Sequence, residues 1–163
     1  MAKITLKGND CNTSGDLPAV GAAAPDFTLV AGDLSEKSLK DYAGKQVVLN
    51  IVPSLDTGTC ATSAKTFNSK ATESAVIVNV SKDLPFAQKR FCDAESLESI
   101  DNLSAFRCGG FADGYGVGIV DGPLQGLLCR AVVIIDAEGK VKYTQLVPEI
   151  VDEPDYDAAL AAL

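Results

Sequence analysis

Gln46-Val47-Val48-Leu49-Asn50-Ile51-Val52 runs into Pro53-Ser54-Leu55-Asp56-Thr57-Gly58-Thr59 and then into Cys60. The first seven residues form a nearly continuous apolar run, the pattern of a strand buried on both faces. Pro53 ends that strand, since it has no N–H to donate to a ladder. The loop after it carries turn residues, and a helix is predicted from about Cys60. In that helix Cys60, Ala64, Phe67 and Ala71 fall at spacings of four, three and four and share one face. Thr62, Lys65, Ser69 and Lys70 look outward.

Working outward, Ala75-Val76-Ile77-Val78-Asn79-Val80-Ser81 reads as a second buried strand. Asp83 is a candidate helix cap, with Pro85 in the first turn of a short helix ending near Cys92. The polar stretch after Cys92 carries no firm periodicity, and residues 104–118 read as loop with one helical turn. Residues 131–136 form a strand and 141–147 its hairpin partner across Glu138-Gly139. The end of the chain, YDAALAAL, is helical. Upstream, residues 3–7 alternate and Gly8-Asn9-Asp10 is a turn signal; together with Cys11 and Asn12 they suggest an N-terminal β-hairpin. Residues 27–30 form a short strand, and Ser38 to Tyr42 a helical turn. This order predicts one α/β domain over 1–163, with a thioredoxin-like fold. A central mixed, mostly parallel sheet is flanked by helices, and the N-terminal β-hairpin is an extension.

Composition narrows the chemistry. Among 163 residues there is no histidine, which removes Ser-His and Cys-His catalysis and every histidine-ligated metal site. The net charge of −8 disfavours nucleic acid and anionic membranes as partners. No apolar run has the length of a membrane helix. The start, MAKITLKGND, lacks the apolar stretch of a secretory signal, so a cytoplasmic location is expected. The five cysteines, Cys11, Cys60, Cys92, Cys108 and Cys129, include no C-x-x-C pair. That argues against a disulfide scaffold and against structural zinc, and no cofactor or metal is expected.

Cys60 stands out because unpaired N–H groups at a helix start favour an anion, and the thiolate is the nucleophilic form of cysteine. A free cysteine is only a few per cent ionised at pH 7, and activating one to a pKa of about 6 takes roughly 3.4 kcal/mol. A helix terminus supplies about 0.3–2 kcal/mol of this. With no histidine, the remaining cation must be lysine or arginine. Arg130 is the choice, at the end of a buried strand and with a fork able to hold the oxygens of a ligand. The Thr57 hydroxyl, three residues before Cys60, is placed to reach the sulfur or a molecule bound beside it. Pro53 can shield the pocket from water. Plainer roles stand beside these: Thr57 as a helix cap, Arg130 as a surface ion pair, and Cys11, Cys108 and Cys129 as small buried hydrophobes.

The string Pro53-x-x-x-Thr57-x-x-Cys60 matches the peroxiredoxin pattern P-x-x-x-T-x-x-C. SLDTGTCATS, DLPFAQKRFC, DGPLQGL, RAVVIID and EPDYDAAL, in that order, resemble the thiol peroxidase subfamily of atypical two-cysteine peroxiredoxins. The resemblance implies a peroxidase in which Cys60 is oxidised to sulfenic acid and Cys92 resolves it as an internal disulfide. It implies that Thr57 and Arg130 orient the peroxide and that Pro53 shields it. It further implies a homodimer recycled by thioredoxin, preferring alkyl hydroperoxides to hydrogen peroxide. The competing class is a non-enzymatic thioredoxin-like module that senses redox state or binds partners through Cys60. A disulfide oxidoreductase is weaker, because Ser63 stands where the second cysteine of a C-x-x-C pair would be. The two cysteines are expected to lie too far apart to bond in the reduced protein, so that the helix bearing Cys92 unwinds on oxidation.

Overall fold

A computed structural model describes residues 1–70 and 73–163. Its elements are β1 (Lys3–Leu6), β2 (Asn9–Asn12), β3 (Thr28–Ala31), β4 (Glu36–Ser38), β5 (Gln46–Ile51), α1 (Gly58–Ser69), β6 (Ala75–Ser81), α2 (Pro85–Glu95), β7 (Ile100–Ser104), α3 (Gly109–Gly114), β8 (Ala131–Ile135), β9 (Val141–Leu146) and α4 (Tyr156–Ala161). A 3-10 turn spans Leu39–Tyr42. The N-terminal hairpin β1–β2 stands apart from a seven-stranded sheet of order β4-β3-β7-β6-β5-β8-β9.

The sheet is mixed, but it is not mostly parallel. Only β5–β6 and β6–β7 run parallel, while β3–β4, β3–β7, β5–β8 and β8–β9 are antiparallel. A parallel neighbour needs a crossover helix, and only α1 and α2 serve as such crossovers.

The strand period of two splits β5 between the faces of the sheet. Val47, Leu49 and Ile51 enter one core with Phe27, Phe111 and Tyr115. Val48 and Val52 enter the other with Cys60, Ala64 and Phe67 of α1 and Ala159 of α4. The predicted helix face of Cys60, Ala64 and Phe67 is fully buried, whereas its fourth member, Ala71, lies outside the described residues.

Helix α2 extends past Cys92 to Glu95 and stops where Ser96 adopts φ of 54°. The cap of α2 is Leu84, without a side-chain bond, so Asp83 is not the cap. Strand β7 lies in the stretch that carries no firm sequence periodicity.

Candidate active site

The loop after β5 delivers Cys60 into the first turn of α1. Thr57 is the N-cap, and its Oγ1 accepts the Cys60 backbone N–H at 3.4 Å. The Thr57 hydroxyl donates to the Ser54 carbonyl at 3.2 Å. Thr57 therefore reaches the backbone of Cys60 and shapes the loop. Pro53 is buried at the strand end.

Asp83 holds the same loop from outside. Its carboxylate accepts from Ser54 Oγ at 2.7 Å, the Leu55 N–H at 2.8 Å and Ser81 Oγ at 2.7 Å. A residue at the head of α2 thus clamps the segment that presents Cys60, a role the sequence reading missed.

Arg130 is no surface residue: it is 2 % exposed, and Cys60 is fully buried. Its Nη2 donates to Cys60 Sγ at 3.3 Å, and its Nε donates to the Ile150 carbonyl at 2.9 Å. The remaining nitrogen, Nη1, is buried with no partner among the described residues. A buried polar group left unpaired costs about 1–3 kcal/mol.

Arg130, Pro53 and Thr57 line a cavity of about 410 Å³, whose wall is completed largely by Leu6, Leu124, Leu127, Ile150 and Val151. The N-terminal hairpin reaches this wall because Glu149 holds it there. The Glu149 carboxylate accepts from Thr5 Oγ1 at 2.8 Å and from the N–H groups of Lys7 at 2.9 Å, Gly8 at 3.0 Å and Val151 at 3.3 Å. Lys7 and Gly8 have φ of 51° and 79°, the positive values of a tight hairpin turn. Above all the Gly8 N–H, with Thr5, Lys7 and Val151, holds the Glu149 carboxyl down at about 2, against an ordinary 4.5.

A carboxyl depressed in the folded state stabilises the fold above its unfolded value and loses that effect as pH falls through its folded value. The stability difference between wild type and Glu149→Gln is therefore expected to be constant above about 4.5 and to shrink between there and about 2. Urea unfolding across that range measures it; a difference that does not vary with pH contradicts the clamp.

The other cysteines sit elsewhere. All five are free thiols. Cys92 is half-buried on α2, and its Sγ accepts from Asn102 Nδ2 at 2.7 Å. Burial pushes the Cys92 thiol up to about 11 and that of Cys129 up to about 12, despite Arg130 beside the latter. Cys11 and Cys108 are likewise raised, chiefly by burial. Within the stretch 106–111, Phe111 fills the core and Phe106 is exposed; neither lines the cavity at Arg130. Among the described residues no cluster of side chains could hold a metal ion, and no helix is long and apolar enough to cross a membrane.

Residues 19–160 match the family model described as Redoxin. The chain is similar to the thiol peroxidase of Mycobacterium tuberculosis, with 59 % identity covering 100 % of this chain and 99 % of that one. It is 52 % identical to the thiol peroxidase of Corynebacterium glutamicum, again covering 100 % of this chain and 99 % of that one. Its fold is similar to the crystal structure of a peroxiredoxin-like protein from Aquifex aeolicus. That match has a TM-score of 0.93 and 44 % identity, and it covers 99 % of this chain and 95 % of that one.

Proposed function

Because the chain belongs to the Redoxin family and is an enzyme of the peroxiredoxin class, a thiol peroxidase, we propose that Cys60 is its peroxide-attacking thiol and Cys92 the thiol that resolves the product. The Cys60 thiolate attacks one peroxide oxygen and the O–O bond breaks. The other oxygen leaves as an alcohol or water with a proton, and Cys60 becomes a sulfenic acid. Cys92 then attacks Cys60 Sγ, the S–O bond breaks, and the sulfenic oxygen leaves as water with the Cys92 proton. A dithiol of the thioredoxin type reduces the disulfide by exchange.

The observation that carries this reading is the Arg130 guanidinium. One nitrogen bonds Cys60 Sγ and another is buried with no partner among the described residues. A cation touching the sulfur favours the thiolate, and the free N–H is a donor for a peroxide oxygen, whose developing charge it stabilises. Thr57 and Pro53 act on this arrangement by shaping the loop and narrowing access. The leucine, isoleucine and valine side chains around the cavity fit the carbon chain of an alkyl hydroperoxide better than hydrogen peroxide, which has no apolar surface to bury.

Peroxide consumption coupled to thioredoxin and its reductase tests the reading. Many turnovers are expected, with a higher kcat/KM for an alkyl hydroperoxide than for hydrogen peroxide. One stoichiometric oxidation without turnover would overturn thioredoxin as the reductant, and equal or reversed kcat/KM values would overturn the substrate preference.

A further inference from the structure

A chain of amides, buried at Asn50 and Asn79 and half-buried at Asn102, joins the helix of Cys60 to the sulfur of Cys92. Asn50 on β5, Asn79 on β6 and Asn102 on β7 occupy matched register positions, so all three side chains project from one face of the sheet. Ser63 Oγ donates to the Cys60 carbonyl at 2.9 Å. With its proton used there, Ser63 must accept, and it does so from Asn50 Nδ2 at 3.3 Å. Asn50 Nδ2 also donates to Asn79 Oδ1 at 2.8 Å, and Asn79 Nδ2 donates to Asn102 Oδ1 at 3.1 Å. Each amide orients the next, so the end facing Cys92 Sγ is the Asn102 N–H.

The same ladder measures how far apart the two thiols are held. Ser63, one turn after Cys60, sits over β5, and Cys92 sits over β7. Two strand spacings of about 4.8 Å separate them. The Cys60 sulfur is held further off still, by Arg130 at the head of β8, on the far side of β5 from β6. A disulfide needs its Cα atoms within about 7 Å, so Cys92 has to leave Asn102 to reach Cys60. While docked, Cys92 is also a poor nucleophile: burial, with Asp93 beside it, pushes its thiol up to about 11, and the Asn102 N–H and Lys89 pull it back only in part.

We propose that Asn102, at the end of this asparagine ladder, is a latch that holds Cys92 docked on β7 and so sets how fast the Cys60 sulfenic acid is resolved. The inference rests on Cys92 being the resolving thiol. Its consequence is a partition. A sulfenic acid that waits for Cys92 is exposed to a second peroxide, which oxidises it to sulfinic acid. A tighter latch gives more sulfinic acid at a given peroxide excess, and a looser one gives less.

The experiment is a single-turnover series. Reduced protein is mixed with one equivalent of an alkyl hydroperoxide, and disulfide formation is followed by quenching and intact mass. Asn102→Ala is expected to resolve about fivefold faster than wild type, the effect of one neutral hydrogen bond of about 1 kcal/mol. It should form less sulfinic acid in excess peroxide, with the rate of peroxide consumption unchanged. Hydrogen exchange should rise across 85–95 and stay as in wild type across 76–81; a general loss of stability would raise both. Asn102→Asp keeps an acceptor for Asn79 and removes the donor to sulfur. It should raise exchange at 85–95 alike, and it serves if the alanine variant does not fold. Resolution at or below the wild-type rate in Asn102→Ala, or unchanged exchange at 85–95 in both variants, overturns the latch. Cys92→Ser is run beside them. If it still forms an internal disulfide, the resolving role of Cys92 is what fails, whatever Asn102 does.

Discussion

Cys60→Ser is expected to reduce kcat/KM for peroxide by more than about a hundredfold, the scale of losing a covalent nucleophile. The chain has no histidine to deprotonate a serine, and Arg130 can only donate. The alcohol therefore stays protonated, and a neutral hydroxyl is a poor nucleophile toward peroxide. The fold should survive, because serine differs by one atom and its oxygen can still accept the Arg130 Nη2 bond now made to sulfur. Stability within about 1 kcal/mol of wild type, read from urea unfolding, separates lost chemistry from lost structure. Residual turnover of more than about a hundredth of wild type would move the nucleophile to another cysteine.

Arg130→Lys is expected to lower kcat/KM by about a hundredfold or more, the scale of removing one charge-directed donor from an active site. The substitution keeps the positive charge, so it separates charge from geometry. Arginine here gives Nε to the Ile150 carbonyl and one Nη to Cys60 Sγ, and its other Nη meets no partner among the described residues. A lysine ammonium is a point charge that cannot span these three directions from one stem. Stopped-flow measurement of the peroxide step is the check. A loss of only a few fold would mean that charge alone activates Cys60 and that the unpaired nitrogen has no part in holding peroxide.

How far the sequence carried the fold depended on whether each element's own residues decided its fate. The buried strand at Gln46–Ile51 and the helix start after it are local facts, written in an apolar run, a proline and a cap. The N-terminal hairpin is also local, since Lys7 and Gly8 make its turn. Strand direction is not: an apolar strand reads alike in either sense, so both strands were legible but the antiparallel pairing of β3 with β7 and of β8 with β5 was not, whereas the hairpin of β8 with β9 was. Strand β7 was hidden because Asp101 and Asn102 break its apolar pattern, Asn102 being spent on the ladder.

The candidate site divides in the same way. Cys60, Thr57 and Pro53 lie in one string. Arg130 was found by elimination and chain order, and the structure brings it onto the sulfur. Glu149 and Asp83 were missed because their partners are backbone groups far off in sequence. Glu149 clamps a turn 142 positions earlier, and no local pattern reports that. The asparagines left one trace: Asn50 and Asn79 each interrupt an otherwise apolar strand, and a polar side chain there must find a partner inside the protein.

In the proposed cycle Cys60 takes the peroxide oxygen and Cys92 removes it. One equivalent of an alkyl hydroperoxide added to reduced Cys92→Ser, followed by trapping with a sulfenic-acid reagent and peptide mass mapping, tests it most directly. A single trapped sulfenic acid at Cys60 is expected, while wild type treated alike gives an internal Cys60–Cys92 disulfide and no trapped product. A sulfenic acid mapped to any other cysteine, or the same untrapped disulfide in Cys92→Ser, would contradict it.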